Sequence, residues 1–297
     1  MDDVRVEIEG RQLTLSNLDK ILYPAAGFTK AGVVDYYARI AGVMVPHLAG
    51  KAATLVRAPD GVDGQRFFEK RCPPSAPAWV HSGGKLGSCL VDDAPTLVWL
   101  ANLAAIELHA HQHTVDRPGL PHAVVFDLDP GPPANVLDCA RTALDLRAVL
   151  DRLGLDVCVK TSGSKGLHLS VPLNTDSSDV TDDTTKAFAR ALGRILADAG
   201  PDRVTVSMAK NLRPGKVFVD WSQNDANKTT VAAYSLRLRP RPTVSTPVTW
   251  DEVSDALDGG DEDALTFETA DALARAAELG DLYAPNLTEQ QVFPALA

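Results

Sequence analysis

Apolar and polar positions alternate at the start of the chain, in VRVEI at 4–8 and again in RQLTL at 11–15, with Gly10 between them. A period of two is the signature of a half-buried strand, so a small hairpin is expected here, with Ser16 and Asn17 able to cap a short turn after it. The spacing then becomes helical. Thr29 can cap a helix from Lys30 to about Val45, in which Val33, Val34, Tyr36, Tyr37 and Ile40 make a broad apolar face before Pro46 and Gly50 stop it. AATLVRAP predicts a short strand, and a turn-rich stretch leads from it to Phe67 and Phe68. Residues 81–93 read as an exposed hairpin or loop, and residues 94–108 as a helix.

The middle of the chain is more regular. AVVFDLD (123–129) predicts a strong strand ending at Pro130 and Gly131, followed by a helix over about 133–153 with Leu137, Leu144, Leu146, Val149 and Leu150 mostly facing inward. DVCVKTS (156–162) and LHLSVPL (167–173) predict a hairpin, followed by a helix at 179–199 and two strands, VTVSM and KVFVDWS. The order β-α-β-β-α-β-β is close to the split βαβ arrangement, in which helices cover one face of a mainly antiparallel sheet. The fold class expected is therefore α+β. After a Pro-rich connector, PRPTVSTP, helices are expected at about 250–258 and 268–279.

With 297 residues, 45% of them hydrophobic and 23% charged, the chain can bury a large core. No run approaches the length of a membrane span, and the first ten residues are acidic rather than basic then apolar, so a soluble cytoplasmic protein without membrane contact is expected. The formal net charge is −10, but residues 241–297 hold 2 Lys/Arg against 12 Asp/Glu while the rest of the chain is balanced. Global charge therefore does not exclude a nucleic-acid partner. The four cysteines, Cys72, Cys89, Cys139 and Cys158, form no C-x-x-C pair, so reduced thiols are expected rather than a disulfide framework or a zinc site.

The sharpest chemical signal is Asp127 and Asp129 in VVFDLDP. Side chains two apart on a strand share a face, and two carboxylates converging at its exit repel unless a cation or basic group compensates. Asp220, at the end of KVFVDW, is a third candidate. Such a triad can hold two hard divalent cations, one activating a hydroxyl and one stabilising a leaving pyrophosphate; the plain alternative is an Asp pair capping the helix after Pro130. The turn TSGSKG supplies small residues whose N–H groups can approach phosphate oxygens, with Ser162 adding a hydroxyl and Lys165 a point charge. It is not a Walker A loop, and alone it reads as an ordinary hairpin turn with a surface Lys.

VVFDLDP, TSGSKGLHLSVPL and RPGKVFVDWSQN, together with LDKILYP and LVRAPDGVDGQRFFEK, occur in order and at compatible spacing over about residues 10–290. In this combination the chain strongly resembles the polymerase domain of bacterial DNA ligase D, in the archaeo-eukaryotic primase superfamily. The resemblance implies an RRM-like catalytic core sheet at 116–240 carrying the metals and the nucleotide. It also implies an N-terminal α/β module at 1–115 with 5′-phosphate and template contacts, and an acidic helical segment at 241–297 packing on the core. The activity implied is a template-dependent nucleotidyltransferase, a DNA/RNA polymerase that fills gaps and extends ends in non-homologous end joining and prefers rNTPs to dNTPs. The rivals are a primer-independent primase and a DNA-end binding module without catalysis.

Residue by residue, the resemblance implies Asp127, Asp129 and Asp220 on two Mn²⁺ or Mg²⁺ ions, and Ser162, Lys165, His168 and His109 around the incoming triphosphate. Arg213, Gln223 and Arg237 fall around the nucleotide and primer end, and Phe68, beside Phe67, matches an aromatic stacking platform. Lys20 and Lys30 match a pair gripping the 5′-phosphate of a gapped or overhanging DNA end; by themselves they read as solvated surface lysines. The loop at 81–93 and the one around Ala209–Gly215 match elements that arrange primer and template. His111, His113 and His122 have no assigned role. Because neighbours on a strand alternate faces, one of Phe67 and Phe68 is expected to be exposed. Ku and a DNA ligase are the partners implied, on the nucleoid during repair.

Overall fold

The computed structural model describes residues 3–175 and 177–294. The first elements in chain order are β1 (Val4–Ile8), β2 (Arg11–Leu15), β3 (Ile21–Tyr23), β4 (Phe28–Thr29), α1 (Lys30–Leu48), β5 (Ala53–Arg57), β6 (Phe67–Glu69), β7 (Ser82–Gly83), β8 (Ser88–Cys89), α2 (Ala94–Asn102) and β9 (Ala105–Ala110). β10 (Ala123–Pro130), α3 (Val136–Arg152), β11 (Cys158–Thr161), β12 (Leu167–Pro172), α4 (Asp182–Ala199), β13 (Val204–Thr205) and β14 (Val217–Asp220) come next. The chain closes with β15 (Thr230–Val231), β16 (Pro247–Val248), α5 (Trp250–Gly259), α6 (Thr269–Leu279) and α7 (Pro285–Thr288). Among the described residues no helix is long and apolar enough to cross a membrane.

These elements form two compact units. One comprises the chain up to Asp116 with Thr229–Ser245 and Phe267–Gly280; the other comprises Arg117–Lys228, Thr246–Thr266 and the chain from Asp281 on. The acidic stretch read from the sequence as one segment, 241–297, is thus shared between the two.

The first unit is built on a four-stranded sheet in the order β15-β9-β5-β6. Thr29 caps α1, its hydroxyl accepting the Gly32 N–H, and the expected apolar face is buried. Tyr36 and Tyr37 donate their hydroxyls to the carbonyls of Tyr234 and Ile106, which satisfies the polar ends of two fully buried rings. Pro46 does not stop this helix. It lies in the last turn, where it removes one i→i−4 bond without ending the helix, and the Ala49 N–H still reaches the Val45 carbonyl. The helix expected over 94–108 ends instead at Asn102. Ala104 turns the chain in the left-handed region, φ 56°, and residues 105–110 then pair with β5, so the pairing partner decided between helix and strand.

Cys72 and Cys89 form a disulfide, contrary to the expectation of reduced thiols, while Cys139 and Cys158 are free. The Cys72 N–H bonds to the Gly87 carbonyl, which folds the β7–β8 hairpin back on the segment after β6 and brings the two Cα atoms to 4.6 Å. Spacing in the sequence carries no trace of that approach.

The second unit holds the α+β core. Its six-stranded sheet has the order β13-β14-β10-β12-β11-β16, antiparallel except for the β13/β14 pair. The β-α-β-β-α-β-β order is the one read from the sequence. α3 and α4 pack on this sheet; at Gly193 of α4 a Cβ would come within 3.3 Å of Val219 Cγ1, so Val219 faces the helices. Leu128 is its cross-strand partner, and residues one step away on each strand project from the opposite face.

Candidate functional site

The face away from the helices carries a row of polar side chains fixed by strand register. Asp127 stands opposite Asp220 on one side and His168 on the other, and His168 stands opposite Lys160. The row therefore runs Asp220, Asp127, His168, Lys160 across four neighbouring strands. Asp129 lies on the same face two residues beyond Asp127, opposite Phe218. The register thus gathers the three aspartates that the sequence singled out at one end of β10.

Two of the three carboxylates, Asp220 and Asp127, are held by hydrogen bonds. Asp220 caps the turn Trp221–Asn224, accepting the Ser222 N–H at 3.0 Å and its hydroxyl at 2.6 Å. The Gln223 amide donates to Asp220 at 3.0 Å and to Asp127 at 3.4 Å. Asn224 anchors this turn: its side-chain amide pairs both ways with the Val125 backbone, at 2.7 and 2.8 Å, as an extra strand rung would. On its other side Asp127 meets His168 Nε2 at 3.2 Å. The Asp129 carboxyl is pushed above the usual range by burial and by Asp127, with Asp220 adding to this and Arg213 and Lys165 opposing it.

The Ser162 turn is built around its hydroxyl. Ser162 Oγ accepts N–H groups from Ser164, Lys165 and Gly166 at 3.1–3.2 Å, and the Ser162 N–H closes on the Gly166 carbonyl. Gly163 is in the left-handed region, φ 65°, and a Cβ at Gly166 would lie 1.9 Å from the Leu128 carbonyl oxygen. Only glycine lets this turn lie against β10. Arg213 lies with its guanidinium carbon 3.6 Å from the Phe218 ring centroid and donates to the Met208 carbonyl.

The remaining expected site residues belong to the first unit. His109 Nε2 meets Glu107 at 2.9 Å, and the Arg237 guanidinium and the Leu238 N–H donate to the other oxygen of the same carboxylate. Burial alone would raise the Glu107 carboxyl, but His109, Arg237 and the Leu238 N–H outweigh it and hold it at about 2. Phe68 is opposite Val56, itself opposite Glu107, so Phe68 shares the sheet face of Glu107 and His109. Phe67 and Phe68 are both exposed, 39% and 73%, where alternation predicted one; β6 is an edge strand and covers neither. His111 and His113 stack on each other.

Lys20 and Lys30 are brought together because the Lys30 N–H bonds to the Lys20 carbonyl beside the β3/β4 pair. Lys20 pairs with Asp60 at 2.8 Å. Lys30 is buried rather than solvated; its ammonium donates to the Ser16 carbonyl at 2.6 Å, and burial, Lys20 and Arg57 lower its pKa. Sequence reasoning missed Glu107, Asn224 and Lys160. The strand alternation of VCVKTS placed Lys160 on the face of Ser162, a signal that was available.

Among the described residues no three acidic, histidine or cysteine side chains are gathered in a ready metal-holding geometry. The chemistry of the donors nevertheless fits a hard divalent cation: three carboxylates at one strand end, with one acid pushed up first by burial and then by its acidic neighbours.

Comparison with known proteins shows what the whole chain is similar to. The family model described as LigD, primase-polymerase domain, matches residues 29–283. The chain is 43% identical over 282 residues to the multifunctional non-homologous end joining protein LigD of Mycolicibacterium smegmatis, covering 92% of this chain and 36% of that protein. It is 42% identical over 287 residues to the LigD of Mycobacterium tuberculosis H37Rv, again covering 92% and 36%. The chain thus spans little more than a third of these relatives. The polymerase domain of Mycobacterium tuberculosis ligase D, solved in complex with DNA, superposes with a TM-score of 0.86 at 40% identity, covering 94% of this chain and 99% of that one.

Proposed function

The chain belongs to the LigD primase-polymerase domain family, and from that premise we propose that it is a template-dependent nucleotidyltransferase that extends primer ends at DNA breaks, using rNTPs in preference to dNTPs. The observation that carries this reading is the convergence of Asp127, Asp129 and Asp220 beside the Ser162–Gly166 turn.

Asp127, Asp129 and Asp220 would hold two divalent cations, Mn²⁺ or Mg²⁺, which when bound activate the 3′-hydroxyl and stabilise the leaving pyrophosphate. The protein's own part is positioning and charge. The glycine-rich turn keeps Lys165 and Ser162 next to β10, where the Lys165 ammonium and the Ser162 O–H, whose oxygen the turn's own N–H groups hold in place, suit triphosphate oxygens. His168 lies against the carboxylate end, its Nε2 3.2 Å from Asp127. Arg213 and Gln223 flank the same acids and serve the nucleotide and primer terminus. In the first unit, exposed Phe68 suits a base or sugar face, and His109 and Arg237 are held by one ionised glutamate. Lys20 and Lys30 suit a 5′-phosphate, since two ammonium groups at neighbouring positions match a dianion. End joining is the process in the relatives' names, and a cytoplasmic setting with Ku and a DNA ligase as partners is part of the same proposal.

The test is primer extension on a short gapped DNA with a 5′-phosphate, comparing rNTPs with dNTPs in Mn²⁺ and in Mg²⁺, with a 5′-hydroxyl gap as control. Extension that favours rNTPs and the 5′-phosphate, and is abolished in Asp127→Ala/Asp129→Ala, is expected. Full activity of that double variant would remove the mechanism. No extension with retained 5′-phosphate binding would leave an end-binding module.

A further inference from the structure

The polar row extends past the groups that face nucleotide and metal, to a buried lysine. Lys160 is 3% exposed and His168 5%, and the Lys160 ammonium lies 3.1 Å from His168 Nδ1. The opposite ring nitrogen, Nε2, lies 3.2 Å from Asp127. In its charged form a lysine only donates, and the Nδ1 it meets then accepts, which leaves the ring proton to Nε2, the nitrogen that faces the carboxylate. We propose that Lys160 is a positioning residue of the nucleotidyl-transfer site: it fixes the tautomer and orientation of His168, so that the ring presents a donor and not a metal ligand to the Asp127 end of the sheet.

Geometry supports this at three levels. Register places Lys160, His168 and Asp127 on consecutive strands in one row, so no loop movement is needed to form the chain. The central strands and the burial of both side chains restrict the ring to few orientations. The donor direction also has a chemical consequence. An imidazole with its proton on Nε2 suits an anionic oxygen, either the carboxylate or a phosphate, whereas a cation would need that nitrogen's lone pair. Lys160 thereby assigns anion contact to His168 and leaves cation binding to the aspartates. It does for an anion-facing histidine what a carboxylate partner does for a metal-bound one.

This role rests on the nucleotidyltransferase reading, but its first test does not. Protein labelled with ¹⁵N-histidine, free of metal and nucleotide, is examined by long-range ¹H–¹⁵N correlation, with His168→Gln identifying the signal. The expected wild-type pattern is protonated Nε2 and unprotonated Nδ1, and Lys160→Met is expected to shift it toward a mixture of tautomers. In steady-state extension Lys160→Met should raise the KM for the nucleotide by about tenfold or more, with a smaller fall in kcat. A wild-type ring protonated on Nδ1, or an unchanged His168 signal in folded Lys160→Met, overturns the assignment. Should Lys160→Met not fold, the wild-type spectrum alone decides. Loss of the predicted polymerase activity with the expected ring pattern would instead count against the functional reading and support the Lys160 geometry.

Discussion

Asp127 and Asp220 stand opposite each other on adjacent strands, and one side chain, Gln223, donates to both. Two acids at that separation repel, and a neutral amide offers partial compensation through its two N–H groups. The bond lengths show an unequal share, tighter to Asp220.

Replacing Gln223 with Met should therefore destabilise the cation-free protein by about 1.5 to 3 kcal/mol, the usual worth of hydrogen bonds to charged groups. Added Mn²⁺ should raise the melting temperature of the variant more than that of the wild type, because a cation compensates the same acids. Melting curves in chelator and in Mn²⁺ check this; equal shifts would rule it out.

Asp129 is raised above its ordinary pKa by burial and by Asp127. A carboxyl whose folded pKa exceeds its unfolded one binds its proton more tightly when folded, so this group costs stability as pH rises through that range. Asp129→Asn should be more stable than wild type at pH 7 in chelator, the difference closing below the usual carboxylate pKa, while extension activity is lost. Thermal melts across pH give the sign directly.

Glu107 behaves oppositely. Its carboxyl is held at about 2, so its ionised form contributes stability that is fully present above the ordinary carboxylate range and lost as pH falls toward 2. Glu107→Gln leaves Arg237 without its buried counter-charge and should cost about 3 kcal/mol at pH 7. Denaturant titrations should show that cost shrinking steadily below about pH 4.5.

Gly166→Ala should lower stability by at least about 1 to 3 kcal/mol, because the added methyl meets the Leu128 carbonyl and neither backbone has room to retreat. Nucleotide binding should weaken with it, since the three N–H groups on Ser162 Oγ depend on that approach. Gly87→Ala is the contrast: its turn is strained by a positive φ, but nothing lies within 4 Å. Denaturation of the two variants, with nucleotide binding measured alongside, separates crowding at the site from ordinary turn strain.

Much of this protein is written locally. The alternation in AVVFDLD and KVFVDW, the helical spacing of residues 30–45 and the Ser-Gly-Ser-Lys-Gly turn gave strands, helix and hairpin where the structure has them, and the β-α-β-β-α-β-β order followed. Asp127 and Asp129 shared a face by period alone. Residue 94 onward shows the limit: Leu, Ala and Ile suit helix or strand, and only pairing with β5 turned 105–110 into a strand.

Register, burial and long-range closure belong to the tertiary structure. Nothing local states that Asp220 lies opposite Asp127, that Lys160 lies behind His168, that Lys30 is buried, or that Cys72 meets Cys89 across seventeen residues. Side-chain alternation is a property of one strand, whereas a cross-strand row depends on how several strands slide against each other until every buried face is filled. The sequence by itself determined which residues could carry charge and chemistry on each strand; the packing of the sheet decided which of them meet.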